Sequence, residues 1–431
     1  MSTATSPSYL DHLVQSWQKP STSSWLDQLR ANAMDSAGAL RIPTTQDEEW
    51  RFTDISPLSQ LPYPVAPTTF KIQLSDIKHY YLEEASCRLV FVDGQFVPEL
   101  SHIAHDSGAI IGNLSSLLPT HGDTIARYLG KLAEFKNDVF TALNTAFLRD
   151  SACIIIPTNK SVTTPIHLLF ISRQTEVTSY PRCLLIAEAG SHATIIEDYI
   201  TTEAASYVTN SVVEMNLADS AHINHTRVQR DNQQAFHIGN CTVSLAHASR
   251  YHSVSITLGA SISRYNLNVI LSGEGAECAT DGLILISERQ LADTHTFIDH
   301  AKPHGKSRQL HKCIVDGMAH GVFNGKIMVR PYAQLTDSAQ LSRNLLLTNK
   351  ARIDTKPQLE IFADDVKCAH GATVGQLDKE EIFYLKSRGL SDLAARNLLT
   401  YAFGGEVIDR IPISSLKRQL EEVVLARTQI S

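Results

Sequence analysis

A short motif recurring at nearly even spacing constrains the fold of this chain more than any other feature of its sequence. An apolar pair, a small or acidic residue and a small-residue turn occur at Ile186-Ala187-Glu188-Ala189-Gly190, Leu217-Ala218-Asp219-Ser220, Leu245-Ala246-His247-Ala248-Ser249 and Leu271-Ser272-Gly273-Glu274-Gly275. The final residues of these copies, 190, 220, 249 and 275, are separated by 30, 29 and 26 positions. Periods of this length mark architectures in which each repeat is one unit of chain that buries its apolar face only against its neighbours. Each turn precedes a short β-branched run, such as residues 194–196 or 253–257, as expected when successive coils stack parallel strands around one core. A parallel β-helix is therefore favoured over a β-sandwich, although short strands with Gly and Ser turns also describe a sandwich.

The repeats lie in a long all-β stretch that includes Cys153 to Ile156, Ile166 to Ile171 and Leu283 to Ile286, assigned as a β-helix core over residues 136–375. Residues 1–135 read as an irregular, mostly helical region, with helix-like segments at Ser8 to Trp17, Trp25 to Ala33 and Thr124 to Leu132. Within it, an alternating run at Arg88 to Val92 ends in Asp93-Gly94 and resumes at Gln95 to Val97, which predicts a hairpin. Residues 376–431 read as helical. Asp378 with Glu381 predicts a capping box, Gly389 a C-terminal cap, Ser391 a second helix start and Gly404-Gly405 its end. A third helix from about Ser415 carries Leu416, Leu420, Val423 and Val424 on one face, a stripe that either packs on its own protein or docks a partner. The expected fold is mainly β, with a β-helix core flanked by helical regions.

The net charge of -7 and pI near 6.2 argue against nucleic-acid or anionic-membrane partners, both of which need a concentrated basic field. Seven widely spaced cysteines without a close pair read as reduced thiols. The first residues, MSTATSPSYL, carry no secretory pattern, and no apolar run reaches a membrane span. A soluble cytoplasmic protein is expected.

Chemistry concentrates in residues 359–373, LEIFADDVKCAHGAT. If Asp364 to His370 is extended, Asp364, Val366, Cys368 and His370 share one face, with Cys368 and His370 about 7 Å apart. Thiolate and imidazole are suitable ligands for iron or an iron–sulfur cluster. A metal site usually needs three or four ligands, and no other Cys or His is close in sequence. Either another chain completes the site, or Cys368 is a small buried hydrophobe and His370 a hydrogen-bonded loop residue. His295, His300, His304 and His311 lack ligand spacing and read as satisfied polar residues at a solenoid corner. Gly305-Lys306-Ser307 resembles the end of a phosphate-binding loop, but His300 stands where the leading glycine belongs. No GxSxG elbow or HExxH pair is present, and no intrinsic catalysis is expected. A carbohydrate-active β-helix enzyme would want clustered carboxylates that are not evident. A structural homodimer is the other alternative.

Several segments resemble the SufB/SufD family of SUF iron–sulfur cluster assembly proteins in order and spacing. They are Glu49-Trp50-Arg51-Phe52-Thr53, Asp293-Thr294-His295-Thr296, Val322-Phe323-Asn324-Gly325, Gln334-Leu335-Thr336 with Ala339-Gln340, Asn344 to Leu347, Lys356 to Ile361 and Ala363 to Thr373. Within the family, Asp-Asp-Val-Lys-Cys-x-His-Gly-Ala-Thr is SufD-like. The resemblance implies a right-handed parallel β-helix between helical regions and a non-enzymatic scaffold paired with a SufB-type subunit. It also implies a SufC-type ABC ATPase that docks the helices of residues 376–431. Within this framework His370 matches an interface histidine that joins a SufB cysteine in holding iron or a nascent, transient cluster, and Cys368 matches an accessory position. The family also admits reduced flavin in the wider complex and a homodimer in isolation.

Overall fold

Each copy of the repeated motif is a corner at which the chain passes from one sheet into a second. In the computed structural model, which describes residues 8–19, 24–67, 72–104 and 108–428, strand Val208–Leu217 leads through such a corner into His222–Arg230. The next coil repeats the step with Phe236–Leu245 and Arg250–Thr257. The result is a β-solenoid whose successive coils build two ten-stranded sheets, parallel except for one antiparallel strand at the start of each. Register is maintained throughout: Met215, Val243, Val269, Ile298, Ile327 and Leu359 stack rung upon rung. This inward column is buried until its last member, which is only partly covered.

The corners explain why the motif is degenerate. Gly190, Ser220, Ala248 and Gly275 all adopt positive φ, from 52° to 68°. Glycine accepts this region freely, whereas Ser220 and Ala248 pay a modest steric cost that the stacked coils impose. Gly273 answers a second demand: a Cβ there would lie 2.1 Å from the His247 backbone nitrogen, so only glycine lets adjacent coils approach.

The N-terminal region is woven into the solenoid. Asp93 and Gly94 both have positive φ, the mark of a tight hairpin turn, and join Cys87–Val92 to Gln95–Phe96 as expected. Cys87–Val92 also pairs in parallel with Ile166–Ser172, so the hairpin opens the second sheet. Helix Tyr9–Ser16, capped by Ser8, and helix Trp25–Ala39 pack with Val139–Ala146 against the outer face of the first sheet, around Val208, Phe236 and Ile262. Val139–Ala146 is buried on every side, which erases the amphipathic period by which a surface helix is read. The segment read as Thr124 to Leu132 is the second part of Leu114–Tyr128, set off from the first by a kink at His121, and Gly130 at φ 72° follows it.

The C-terminal helices cover the outer face of the second sheet. Asp378 caps Lys379–Ser387 by accepting from the Glu380 N–H at 2.7 Å, in place of the box with Glu381. Gly389 follows in the left-handed region. Gly404-Gly405 does not end the second helix, which runs over Asp392–Ile408. Gly404 instead sits against Leu283 and Ile314, so close packing on the sheet outweighs glycine's poor helix propensity. Leu416, Leu420 and Val424 of Ser414–Thr428 are buried on the same sheet; the stripe is an internal contact, and the partner alternative for it falls. No helix among the described residues is long and apolar enough to cross a membrane.

Three histidines make the solenoid acid-sensitive. Burial pushes the His167 and His300 imidazoles down to about 4 and His311 to about 3. In the unfolded chain each titrates near 6.5. Below that pH the unfolded state takes up protons that the folded state refuses, so stability, fully present above 6.5, falls as pH drops toward 4. The loss is on the order of 1 kcal/mol per histidine per pH unit. The urea midpoint is expected to be clearly lower at pH 5 than at pH 7.5, and equal midpoints would contradict this account.

Candidate functional site

Two strands end the solenoid, Arg352–Ile361 in the first sheet and Lys367–Gly375 in the second, and no strand of the described residues pairs beyond either. Columns that are closed in earlier rungs open here: Val329 is 0% exposed, while its register partner Ile361 is 39% exposed. Phe362 is exposed next to it, and Val374 is exposed near the far end of the other strand. Lys367 donates its N–H inward to the Thr336 carbonyl. By the alternation of a parallel ladder, the N–H groups of Cys368, His370 and Ala372 point outward, away from the paired strand. An unpaired edge of this kind is a template for another chain.

The two residues singled out from the sequence lie on this edge strand. Cys368 stands in register with Ser338 and His370 with Gln340, so both occupy inward columns and share one face, about 7 Å apart along the strand. The extended segment is shorter than expected: it starts at Lys367, and Asp364 and Asp365 are exposed in the preceding bend. Val366 and Cys368 pack against the main core, while His370 is exposed. The other six cysteines are all buried, and Cys368 alone is partly open. Burial, and then the nearby Asp337 carboxylate, push its thiol above the usual cysteine range. A bound cation would reverse that bias, since metal ligation takes the thiolate.

Among the described residues no three His, Cys, Asp or Glu side chains converge as a metal site. Cys368 and His370 would supply at most two donors, fewer than the three or four protein ligands usual for a transition metal.

The expectation of satisfied polar residues at a corner holds only in part for the other histidines: His304 lies exposed 3.8 Å from Glu274, whereas His300 Nδ1 and His311 Nε2 are buried without a hydrogen-bond partner among the described residues. His295 lies 3.3 Å from Glu49 and 3.1 Å from Asp293. Thr53 donates to Asp293 at 2.5 Å, and Arg264 bridges Asp293 while stacking over Trp50. The Glu49–Thr53 and Asp293–Thr296 segments, 240 residues apart, thus meet as one latch between N-terminal region and solenoid. His300 bonds Ser307 at 2.9 Å, and His311 stacks on Phe323. Lys306 begins a strand, so the phosphate-loop resemblance has no structural counterpart.

One surface escaped the sequence reading. Phe383 and Tyr384 are 74% and 56% exposed, and Leu393 and Leu398 of the next helix are exposed as well. The periodic stripe at Leu416 did not mark this surface, because amphipathic spacing marks a face to be buried and does not say by what.

The sequence resembles those of known proteins. Residues 7–168 match the profile of the SufBD protein N-terminal region, and residues 170–403 match that of the SUF system FeS cluster assembly SufBD core domain. The chain is 43% identical to an iron–sulfur cluster assembly SufBD family protein of Synechocystis, over 93% of this chain and 90% of that one. It is 34% identical to the iron–sulfur cluster assembly protein SufD of Escherichia coli, over 90% and 88% of the two chains. Identity to SufD of Bacillus subtilis is 27%, over 96% of each. With both regions matched in order across the helical flank and the solenoid, this chain belongs to the SufBD family.

Proposed function

We propose that this chain is a non-catalytic scaffold subunit for iron–sulfur cluster assembly, pairing with a SufB-type subunit across the open end of its solenoid. The observation that carries this reading is the placement of Cys368 and His370, two donors suited to iron, on an unpaired edge strand too poor in ligands to form a site alone. A second chain docked on that edge would supply the remaining ligands, and the nascent cluster would be held between the subunits as cargo. The exposed Phe383, Tyr384, Leu393 and Leu398 suit docking of a SufC-type ABC ATPase. Nucleotide turnover in that partner would then drive a rigid-body change at the interface. Reduced thiols and the absence of a membrane-spanning helix among the described residues suit a cytoplasmic complex. The same edge would also allow a homodimer of the isolated chain.

Ala372→Pro tests the docking mode. Its ring removes an outward N–H and leaves the inward ladder to Asp337–Leu346 intact. On co-expression with SufB-type and SufC-type partners, the variant is expected to fold normally yet lose most co-elution with the SufB-type subunit in gel filtration. Wild-type recovery would show that the edge is not the contact.

A further inference from the structure

We infer that Gln340 is a positioning residue for His370, presenting its carboxamide oxygen to the ring N–H of the histidine when the other ring nitrogen holds iron; the inference rests on His370 being a ligand. In the inward column of the second sheet, Gln309, Gln340 and His370 follow one another in register. Across the lumen they face the column Thr296, Gly325 and Pro357. In the first of these rungs Thr296 donates to the Gln309 carbonyl at 2.8 Å. In the next, a glycine replaces the threonine, and Gln340 loses its counterpart.

Gly325 does more than remove a partner. A Cβ at that position would stand 1.8 Å from Gln340 Nε2, so the glycine is what allows the amide to occupy the lumen. Gln340 is 2% exposed, and neither its Nε2 nor its Oε1 finds a partner among the described residues. Leaving buried polar atoms unpaired costs roughly 1–3 kcal/mol each, so such a group calls for a partner or another explanation. The rung that Gln340 adjoins on its open side is that of His370, 4.7–4.9 Å away at the usual strand spacing.

Metal-bound histidines donate their second ring N–H to an acceptor, which fixes the tautomer and ring orientation. His370 is exposed at the edge, with Pro357 opposite offering no side-chain donor or acceptor. Gln340 is the unpaired acceptor in the neighbouring position of the same column. The sequence motifs containing Gly325 and Gln340 thus become two halves of one device, a gap and the amide that fills it.

The test uses the co-expressed complex, purified without iron and titrated anaerobically with Co²⁺ alone against a competing chelator. Gln340→Met keeps length and apolar packing but removes the acceptor; it is expected to weaken Co²⁺ binding about 10- to 100-fold, with complex yield and urea midpoint held. Gln340→Glu, which restores an acceptor, is expected to return affinity to within about 3-fold of wild type. That rescue is not expected of a residue that only packs. In a His370→Ala background, Gln340→Met is expected to change nothing further. If His370→Ala weakens binding while Gln340→Met does not, the role of Gln340 is refuted and His370 stands. If His370→Ala binds Co²⁺ like wild type, or the wild-type complex does not bind it, the ligand reading falls and this inference with it.

Discussion

His370→Ala, introduced into the complex with SufB-type and SufC-type partners, is expected to leave assembly unchanged and to reduce bound iron and acid-labile sulfide at least tenfold. The imidazole is exposed on the last rung. Truncating a surface side chain away from caps and networks usually shifts stability by no more than about 0.5 kcal/mol, so folding is not at risk. Metal affinity is another matter, since losing even an outer-shell partner of a ligand costs roughly 10- to 100-fold. Iron and sulfide in the gel-filtered complex are the measurement. Normal content in an intact complex would reduce His370 to a structural residue and leave this subunit only the task of holding its partners. Cys368→Ser is expected to have a smaller effect, because the Cys368 thiol is biased toward its protonated form before metal arrives.

Glu214→Ala is expected to produce the largest loss of stability, about 3–5 kcal/mol, the cost of leaving a buried charge without its partner. The Glu214 carboxylate is fully buried and pairs with the equally buried Arg182. It also accepts the backbone N–H groups of Gly130, Lys131, Leu132 and Ala133 at 2.8–3.1 Å. Arg182 reaches on to Asn144 and Thr145, so one ion pair ties the loop after Leu114–Tyr128, the helix Val139–Ala146 and two solenoid strands together. Truncation strands a guanidinium and four N–H donors at once. Urea unfolding of the isolated chain measures the loss, and a change below about 1 kcal/mol would show that water or relaxation satisfies the site. Arg182→Met combined with Glu214→Ala is expected to cost less than the sum of the two single changes, because the second removes a group already stranded.

Much of the solenoid was legible because its constraint is local and repeated. The 26–30-residue spacing, the Asp93-Gly94 hairpin and the helix start at Ser391 each depend on a few neighbouring residues. Where the sequence misled, a distant contact had intervened. Gly404 ends no helix because Leu283 and Ile314 need it close. Val139–Ala146 hid because it is buried on all sides. Cys87–Val92 is a hairpin arm by its turn but a solenoid strand by its other edge, and only the pairing with Ile166–Ser172 reveals the second role.

For the candidate site, residue types and alternation alone put Cys368 and His370 on one face with donors suited to iron. That they sit on the terminal rung, that Cys368 is the one cysteine not closed into the core, and that Gln340 stands unpaired beside His370 are facts of stacking. Coil length is written in each repeat, so the sequence by itself determined a chain of stacked turns. Where the stacking stops, and what it leaves without a neighbour, depends on contacts between residues about thirty positions and more apart, and only the tertiary structure decided that.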